Sequence, residues 1–323
     1  MRSKLVRNFV IIIALALLVS GIVVFIVIKT LNSNEVFLTI VPKSYCYVSL
    51  NNEEKEIELM VYVSDKKSFV TKEEKVIHSY IESYDRIDKL LINLVGIKDL
   101  NTKVYINNRN YYLYSYKYEV PVKAEEEYEL SIPNAIVIMD FPEDEVKLNI
   151  GSFYFQKVPY YGDKESNLSV SRVKGIVNYV DNNKTLVGVL LGFRNLSTRN
   201  IYIKNIEIID KTVYPAMNEA IVKKEEFGYS DSISKILGYD YDYYKGEENN
   251  NCNFLVKGEE ILEIVVPLKY KSNYIIDNIS FKISYEIDGE LFTFYSDKIN
   301  MFNDMNVYID ESKLEVISYD FAN

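Results

Sequence analysis

The chain contains no tryptophan, one histidine and two cysteines among its 323 residues. A catalytic triad or a histidine-based zinc site needs more histidine than this, so the common forms of both are excluded. Two cysteines also exclude a fold that depends on a network of disulfides. The glycine-rich phosphate loop, the dinucleotide-binding motif and the zinc-protease motif are absent, so the sequence contains no familiar catalytic or nucleotide-binding motif.

Glycine and proline are scarce, at 12 and 7 residues, whereas tyrosine and phenylalanine number 29 and 15. Aromatic and β-branched side chains favour strands, so this composition predicts a mainly β fold. The bias toward Ile, Lys, Asn and Tyr is typical of an AT-rich genome. The tyrosine count by itself therefore does not indicate a binding surface.

One long apolar segment, Phe9 to Ile28, contains no charged residue. As a helix rising about 1.5 Å per residue it spans roughly 30 Å, the thickness of the hydrocarbon core of a bilayer. Three basic residues precede this segment and only Lys29 follows it, which favours a cytoplasmic N-terminus. The sequence therefore predicts a single-pass membrane protein with a tail at residues 1–8, a transmembrane helix at 9–28, a stalk at 29–34 and the remaining residues outside the cell membrane.

A cleaved signal peptide is the alternative interpretation of this segment. The apolar core of a signal peptide is usually about 7–15 residues long and ends at a small-x-small cleavage site. The segment here is longer, and residues 29–34 provide no such site. A lipoprotein signal does not fit either, because Ile22 stands where the lipid-bearing cysteine is required. The sequence favours the retained anchor.

The part of the chain after residue 29 is acidic. Of the 37 basic residues four lie in the first 29, which leaves 33 against 47 acidic residues and a net charge of −14. This charge argues against binding to nucleic acid and against docking on anionic lipid headgroups. It is typical of a soluble region whose negative charge repels it from an anionic surface.

Strand patterns after the stalk fall into two segments, which a polar and aperiodic stretch at residues 160–167 separates. We expect a first β-sandwich domain at residues 35–158 and a second at residues 159–323. Within the second domain, Asp288-Gly289 lies between two alternating runs, which is the strongest hairpin signal in the chain.

Two short helices are predicted among these strands. Residues 72–82 follow Thr71, which suits an N-cap, and an acidic residue three positions later completes a capping box. The second helix is predicted over residues 232–237, with Ser230 or Asp231 as its N-cap.

In the second segment, residues 186–210 and 258–299 resemble the immunoglobulin-like sandwich modules of bacterial surface proteins. The resemblance consists of two long core strands, a polar turn at Asn195-Leu196-Ser197 and a late hairpin. The Cys-Trp-Cys signature of true immunoglobulin domains is absent. The resemblance implies a mainly β fold with two tandem immunoglobulin-like domains after the transmembrane helix, and it implies no active residues.

Two features resemble catalytic elements, and structural roles explain them better. His78 lies among charged residues on the predicted helix 72–82, which indicates an exposed side chain. Ser232-Ile233-Ser234-Lys235 matches the S-x-x-K motif of the penicillin-binding family, but the S-D-N and K-T-G elements that accompany this motif are missing. We therefore expect no catalysis at either position.

Cys46 and Cys252 are the two cysteines. One bridge between them is an option in an oxidising exterior, but they lie about 200 residues apart and in different predicted domains. Two independent buried thiols fit the sequence better.

Acidic loops are the candidates for a bound ion. Ca²⁺ takes about six to eight oxygen ligands, often from loops of this kind. The spacing matches no EF-hand, so solvated loop charges are the alternative interpretation, and no other cofactor is indicated. The candidate Ca²⁺ ligands, which surround Pro142 at the end of a predicted strand, are Asp140, Glu143, Asp144 and Glu145.

The stretch of residues 239–253 is acidic and rich in tyrosine and asparagine, and we interpret it as a loop. An aromatic and acidic loop at the tip of a rigid sandwich can recognise a protein or a sugar. A poorly ordered insertion is the alternative interpretation. The candidate recognition residues are Tyr239, Asp240, Tyr241, Asp242, Tyr243 and Tyr244.

These features predict a non-catalytic, membrane-tethered binding or accessory protein of a bacterial envelope, with envelope proteins as its partners. One alternative is a module that binds a cell-wall polymer or Ca²⁺. Another is a hydrolase with an unrecognised carboxylate site. The sequence contains no signal that determines whether the chain associates with itself.

Overall fold

The computed structural model describes residues 20, 35–50, 53–85, 88–121, 128–158, 167–180, 183–210, 212–223, 231–271, 275–276, 278–296, 299–300 and 314–320. These residues are mainly β with one short α-helix, which confirms the predicted fold class at this level. The predicted tail, the stalk and all of Phe9 to Ile28 except Ser20 lie outside the described residues, as do residues 159–166. Within the described residues, no helix is long and apolar enough to cross a bilayer.

Most strands lie where apolar and polar residues alternate. Two do not follow the sequence predictions, since His78–Ser83 overlaps the predicted helix 72–82 and Asn251–Val256 begins inside the predicted loop of residues 239–253. A single α-helix, α1, lies between the thirteenth and fourteenth strands of the described chain. In chain order the elements are β1 (Glu35–Ile40), β2 (Lys43–Leu50), β3 (Lys55–Val63), β4 (His78–Ser83), β5 (Lys89–Ile106), β6 (Arg109–Val120), β7 (Tyr128–Asp140), β8 (Glu145–Val158), β9 (Leu168–Val180), β10 (Asn183–Asn195), β11 (Ile201–Ile208), β12 (Val213–Pro215), β13 (Ile221–Val222), α1 (Ile233–Leu237), β14 (Asn251–Val256), β15 (Ile261–Tyr270), β16 (Ile275–Ile276), β17 (Asn278–Ile279), β18 (Phe281–Ile287), β19 (Glu290–Tyr295), β20 (Ile299–Asn300) and β21 (Ile317–Asp320).

Strands β1 to β8 form a ten-stranded sheet together with β16 and β21, in the order β16-β2-β8-β7-β4-β5-β6-β3-β1-β21. The long strand β5 joins two groups of strands within this sheet. Its residues 89–92 pair with β4, and its residues 93–106 pair with β6. Its register shifts twice along β6, and such bulges bend a strand and increase its twist. The two groups of strands share one core, which contains side chains from β1 to β8.

Alternating burial defines the inner face of this sheet. Ile57 and Leu59 of β3 are fully buried, and so are Tyr116 and Tyr118 of β6. The hydroxyl of Tyr116 donates to the backbone oxygen of Val70 at 2.6 Å, so its polar end is satisfied inside the core. Many of the tyrosines are therefore core residues, which accounts for their number without a binding role.

The helix predicted over residues 72–82 is wrong. The chain makes two 3₁₀ turns, Phe69–Thr71 and Glu73–Lys75, and then enters β4. β4 lies between β7 and β5, and its Ser79 and Ile81 are buried. Pairing on both sides satisfies the backbone groups of a strand and buries alternate side chains, so tertiary contacts outweigh the local capping signal.

The C-terminal half forms two sheets around a second core. One sheet has the order β9-β10-β15-β12 with β13 also beside β15, and the other has the order β14-β11-β18-β19. Phe193 of β10 and Ile264 of β15 meet Ile203 of β11 and Ile283 of β18 in this core, and all four are fully buried. β17 and β20 form a separate two-stranded pair.

The predicted hairpin at Asp288-Gly289 is confirmed. Both residues have positive φ, 50° and 85°, as the tight hairpin turn with two left-handed residues requires. The pairing of β18 with β19 begins directly beside this turn, where Ile287 faces Glu290.

Both edge strands of the ten-stranded sheet come from residues beyond 159, within the predicted second domain. β16 pairs in parallel with β2 at one edge. β21 pairs antiparallel with β1 at the other edge. The C-terminal half of the chain therefore contacts the N-terminal half at two separate places.

Candidate functional site

The tyrosine-rich loop begins where α1 ends. The hydroxyl of Ser232 accepts a hydrogen bond from the backbone nitrogen of Lys235 at 3.2 Å and caps the start of the helix. Gly238 ends the helix with a φ of 81°, the left-handed conformation that glycine adopts readily at helix ends. The second predicted helix is confirmed, but its N-cap is Ser232 and not the predicted Ser230 or Asp231.

This helix cap also explains the S-x-x-K match. The hydroxyl of Ser232 is engaged by the cap, and the ammonium of Lys235 forms an ion pair with Asp231 at 2.5 Å. Lys235 lies exposed on the surface. Both side chains of the match therefore have structural partners.

A buried lysine fixes the loop to β15. Lys269 Nζ lies 3.2 Å from a carboxylate oxygen of Glu219 and donates to the backbone oxygen of Asp242 at 2.8 Å. The same ammonium lies 3.9 Å from the centroid of the Tyr241 ring. Lysine is rarely buried unless its charge is paired, and here a carboxylate, a carbonyl and an aromatic face surround it. Lys269 thus holds the middle of the loop against the sheet.

Hydrogen bonds from the loop itself add to this attachment. The hydroxyl of Tyr241 donates to the backbone oxygen of Leu268 at 3.2 Å, and its backbone nitrogen donates to Ser234 Oγ at 3.0 Å. The backbone oxygen of Tyr243 accepts from the nitrogen of Tyr270 at 2.8 Å. Burial, assisted by the nearby Glu219, raises the pKa of the Tyr241 phenol, so this hydroxyl remains a donor.

The rings of the loop form a continuous row that ends on β15. Neighbouring ring centroids along the row lie 6.4, 6.1, 6.1 and 6.5 Å apart. Within the row Tyr241 is buried, whereas Tyr239 is 46% exposed and Tyr244 is 49% exposed. Asp240 and Asp242 are exposed beside them. We call this set the tyrosine row, and its members are Tyr239, Tyr241, Tyr243, Tyr244 and Tyr270.

The acidic residues considered for Ca²⁺ lie at the turn between β7 and β8. Glu143 forms an ion pair with Lys75 at 2.8 Å, which holds the pKa of its carboxyl below the usual value. Glu145 pairs with Lys147 at 2.6 Å, and the carboxylate of Asp144 accepts from the backbone nitrogen of Glu145 at 2.8 Å. Across the part of the chain that the structure describes, no three histidine, cysteine, aspartate or glutamate side chains are grouped to hold a metal ion.

His78 is exposed, as predicted, but it lies on a strand rather than a helix. It is the first residue of β4 and faces Asp140 at the end of β7. A groove of about 570 Å³ opens beside it, and Glu73, Ile77 and Leu91 contribute to its walls. His78 therefore belongs to the surface of the ten-stranded sheet.

A buried polar cluster between the two halves of the chain was not anticipated from the sequence. Ser44 on β2 donates to Asp210 Oδ2 at 2.6 Å and accepts from Ser152 on β8 at 2.9 Å. The backbone nitrogen and the hydroxyl of Thr212 both donate to Asp210 Oδ1 at 2.6 Å. All four residues are buried, and we call them the Asp210 cluster. Ser44 and Asp210 lie 166 positions apart, so no local pattern could reveal their contact.

Cys46 extends this contact along β2. Asn278 accepts from the Cys46 nitrogen at 2.9 Å, and its side-chain amide donates to the Cys46 oxygen. The Cys46 thiol donates to the backbone oxygen of Ile209. Burial raises the pKa of this thiol well above its ordinary value, and the nearby Asp210 raises it further. Neither cysteine forms a disulfide, and Cys252 is half-buried elsewhere.

The Asp210 carboxyl predicts a pH dependence of stability. Burial raises its pKa above the ordinary 3.8, and the hydrogen bonds from Ser44 and Thr212 offset part of this rise. A carboxyl with a raised native pKa binds its proton more tightly in the folded state, so its contribution to stability grows as the pH falls and is lost as the pH rises through that pKa.

We therefore expect wild-type protein to lose stability relative to Asp210→Asn as the pH is raised from about 4 to about 7. Urea unfolding of both proteins at several pH values measures this difference. Taking the difference cancels the opposite contribution of carboxyls such as Glu143, whose pKa is lowered. A difference that does not change with pH, or that changes in the other direction, would contradict this assignment.

Comparisons with known proteins give weak structural similarities. Neither a known protein family nor a curated protein matches the sequence. A protein of unknown function from Porphyromonas gingivalis W83 is 7% identical over 81% of this chain and 99% of that chain, at a TM-score of 0.21. The C-terminal domain of the Streptococcus agalactiae AgI/II polypeptide BspA is 10% identical over 81% of this chain and 99% of that chain, at 0.19.

The C-terminal domain of the Streptococcus pyogenes antigen I/II-family protein AspA is similar to the same extent. It is 9% identical over 83% of this chain and 99% of that chain, at a TM-score of 0.19. Scores near 0.2 establish no common fold, so these proteins assign no function to this chain.

Proposed function

We propose that this chain is a non-catalytic binding or accessory protein of the cell envelope. A transmembrane helix at Phe9 to Ile28 would tether it, with the C-terminal part outside and an envelope protein as the partner. The observation that supports this proposal is the tyrosine row, which buried Lys269 holds against β15 while Tyr239 and Tyr244 face the solvent. Tyrosine offers a large amphipathic contact area and has few rotatable bonds to immobilise, and binding surfaces are enriched in it for this reason.

The fixed position of the loop favours recognition. A loop that is already ordered loses little conformational entropy when a partner binds. The exposed carboxylate of Asp240 lies beside the row, so a partner with a basic residue next to an apolar centre complements it in charge. The carboxylate of Asp242 forms an ion pair with Lys245 at 3.0 Å within the loop. The tether would add to this affinity by confining the ectodomain to a thin layer next to its partner.

We further propose that residues 35–158 and 159–323 form two β-sandwich domains, and that the second is immunoglobulin-like. The strand order β9-β10-β15-β12 opposite β14-β11-β18-β19 supports this assignment, because in space it matches A-B-E-D opposite C′-C-F-G. Along the chain the match departs at one point, since β12 in the D position precedes β14 in the C′ position. In such modules the sheets are a rigid frame and the loops carry recognition. The tyrosine row lies on a loop of this second domain.

The proposal is tested with the full-length, membrane-anchored chain by chemical crosslinking and pull-down. We expect a stoichiometric partner, and we expect Tyr239→Ala with Tyr244→Ala to reduce its recovery about tenfold or more, as for the loss of two exposed contact residues. Tyr105→Ala is the matched control, because Tyr105 is 63% exposed and lies on β5, in the other half of the chain. Its recovery should equal that of wild type.

Thermal unfolding of the double variant shows whether the loop change leaves the fold intact. Both rings are about half exposed, so the change in unfolding temperature should be small. If the folded double variant recovers as much partner as wild type does, the tyrosine row is not the binding surface. Recovery of no stoichiometric partner with wild type would contradict the accessory role itself.

A further inference from the structure

A pocket of about 450 Å³ lies where β1, the start of β6 and the end of β3 meet. Pockets that bind small molecules have volumes of roughly 300–1,000 Å³, so this one is large enough for a small ligand. Its walls combine aromatic rings with charged groups of both signs. The residues that matter for its chemistry are Glu35, Phe37, Asp65, Arg109 and Tyr112.

Arg109 is the basic residue of this pocket, and its position is well fixed. It is the first residue of β6 and follows the turn at Asn107-Asn108, where φ is 46° and 61°. Positive φ at both positions is typical of a tight hairpin turn, which sets where the next strand begins. The guanidinium lies over the ring of Phe37, with Cζ 3.1 Å from the ring centroid. Stacking on an aromatic ring holds the guanidinium plane in one orientation.

One nitrogen of this guanidinium has no partner. Nη1 of Arg109 is buried and donates no hydrogen bond. Buried polar groups are nearly always hydrogen-bonded, and a buried donor that belongs to a charged group is especially costly to leave unsatisfied. The carboxylates of Glu35 and Asp65 line the same pocket, yet neither provides the acceptor that Nη1 lacks. The pocket therefore contains a cationic donor that still requires an acceptor.

Hydrogen bonds between β1 and the end of β3 order the acidic side of the pocket. The nitrogen of Ser64 donates to the oxygen of Phe37 at 2.9 Å, and the nitrogen of Phe37 donates to Ser64 Oγ at 2.9 Å. Asp65 follows directly, and its Oδ1 accepts from the nitrogen of Lys67 at 2.9 Å. Glu35 lies two positions before Phe37 on β1, and alternate side chains of a strand point to the same side. Both carboxylates are thus placed in the pocket before any ligand binds.

These groups favour one class of ligand. A planar carboxylate matches the planar guanidinium of Arg109 and can accept two parallel hydrogen bonds from it. The carboxylates of Glu35 and Asp65 repel an anion of higher charge such as phosphate, and they attract a positively charged group. The rings of Phe37 and Tyr112 add apolar surface. A small molecule that carries both a carboxylate and an ammonium group complements all of these features.

We propose that this pocket, which we call the Arg109 pocket, binds a small zwitterion. The carboxylate of the ligand accepts from the guanidinium of Arg109, and its ammonium group faces Glu35 and Asp65. Free amino acids and short peptides share this chemistry. The Arg109 pocket lies in the other half of the chain from the tyrosine row, so this proposal does not depend on the partner proposed there.

The test is calorimetric titration of the full-length chain, purified in detergent, with alanine, alanyl-alanine, acetate and ethylamine. Acetate and ethylamine each carry only one of the two charges. We expect at least one of the two zwitterions to bind about tenfold or more tightly than acetate or ethylamine, because each single-charge probe loses one charged contact. Tighter binding of alanine would identify a free amino acid as the ligand, and tighter binding of alanyl-alanine would identify a short peptide.

Arg109→Lys keeps the positive charge but removes the planar pair of donors. This variant should bind the zwitterion about tenfold more weakly than wild type does. Arg199→Lys is the matched control, because Arg199 lies exposed in the other half of the chain, where it pairs with Asp288. Its affinity should equal that of wild type.

Glu35→Gln combined with Asp65→Asn tests the other side of the pocket and keeps the proposal falsifiable if Arg109→Lys does not fold. Asp65 is exposed and Glu35 is partly exposed, and the new amide at position 65 can still accept from Lys67. This double variant should lose its preference for the zwitterion over acetate while it still binds acetate. Thermal unfolding without ligand shows whether each variant is folded.

Three results would overturn the proposal. The first is that no probe binds to wild type at concentrations up to about 10 mM, which would leave water as the acceptor for Nη1. The second is that acetate binds as tightly as both zwitterions, because the carboxylates would then hold no ammonium group. The third is that inorganic phosphate binds more tightly than either zwitterion.

Discussion

Replacing Asp210 by alanine should lower the free energy of unfolding by about 3 kcal/mol. The hydroxyl of Ser44 and both donors of Thr212 lose their acceptor in a place from which water is excluded. Each hydrogen bond to a charged group is worth roughly 1.5–3 kcal/mol, and removal of a buried carboxylate returns part of this sum. Urea unfolding at neutral pH measures the change.

Asp210→Asn is the matched control for this substitution. The asparagine keeps one side-chain oxygen for the donors of Thr212, and the hydroxyl of Ser44 can turn to accept from the new amide. We expect Asp210→Asn to lie within about 1 kcal/mol of wild type. If alanine and asparagine have equal effects, the hydrogen bonds of the cluster do not determine the stability of this contact.

Replacing Gly151 by alanine should destabilise the protein by about 3 kcal/mol or more. Gly151 lies on β8 opposite Lys43 of β2. Its φ is 103°, a value that residues with a side chain rarely adopt. A Cβ at this position would lie 2.2 Å from the backbone oxygen of Lys43, a distance at which the atoms overlap. The parallel pairing of β2 with β8 would have to shift, and with it Ser44 in the Asp210 cluster.

Gly238→Ala separates steric overlap from backbone conformation alone. Gly238 also has a positive φ, 81°, but an added Cβ would meet nothing within 4 Å. This variant should cost only about 1 kcal/mol, the usual penalty of a left-handed alanine. Comparable unfolding midpoints for the two variants would show that the overlap with Lys43 is relieved without cost.

The strand patterns and tight turns of this chain could be predicted because their causes are local. Alternation along residues 55–63 buries Ile57 and Leu59, and the strand observed is the one that this alternation indicates. Asp288-Gly289 adopts positive φ at both positions because these residue types tolerate it, whatever surrounds them. The position of α1 is similarly local, although its N-cap is Ser232 and not the predicted Ser230 or Asp231.

The helix expected over residues 72–82 shows where local reasoning ends. The sequence contains a capping box at Thr71. The segment nevertheless forms β4, because β7 and β5 provide backbone hydrogen bonds on both of its edges. A helix there would leave two strands without their central neighbour. β5 is close in sequence, but the β7 residues that pair with β4 lie more than fifty positions away, which no window around residue 72 contains.

The tyrosine loop lies between these two cases. Its composition indicates recognition, and the rings of its four candidate tyrosines contact one another in the structure. The sequence could not show which rings are buried, because Lys269, which fixes Tyr241 in place, belongs to β15. This contact and the hydrogen bonds of Tyr241 to Leu268 and Ser234 cover Tyr241, while Tyr239 and Tyr244 remain about half exposed.

The sequence by itself determined the mainly β class, most strand positions, the hairpin turn and the acidic character of the region beyond residue 29, because each depends on neighbouring residues or on composition. Only the tertiary structure decided that Asp210 meets Ser44 and that β21 returns to the edge of β1. These contacts join residues 166 or more positions apart. Their energies come from burial and complementary hydrogen bonding, which arise only when the sheets have assembled.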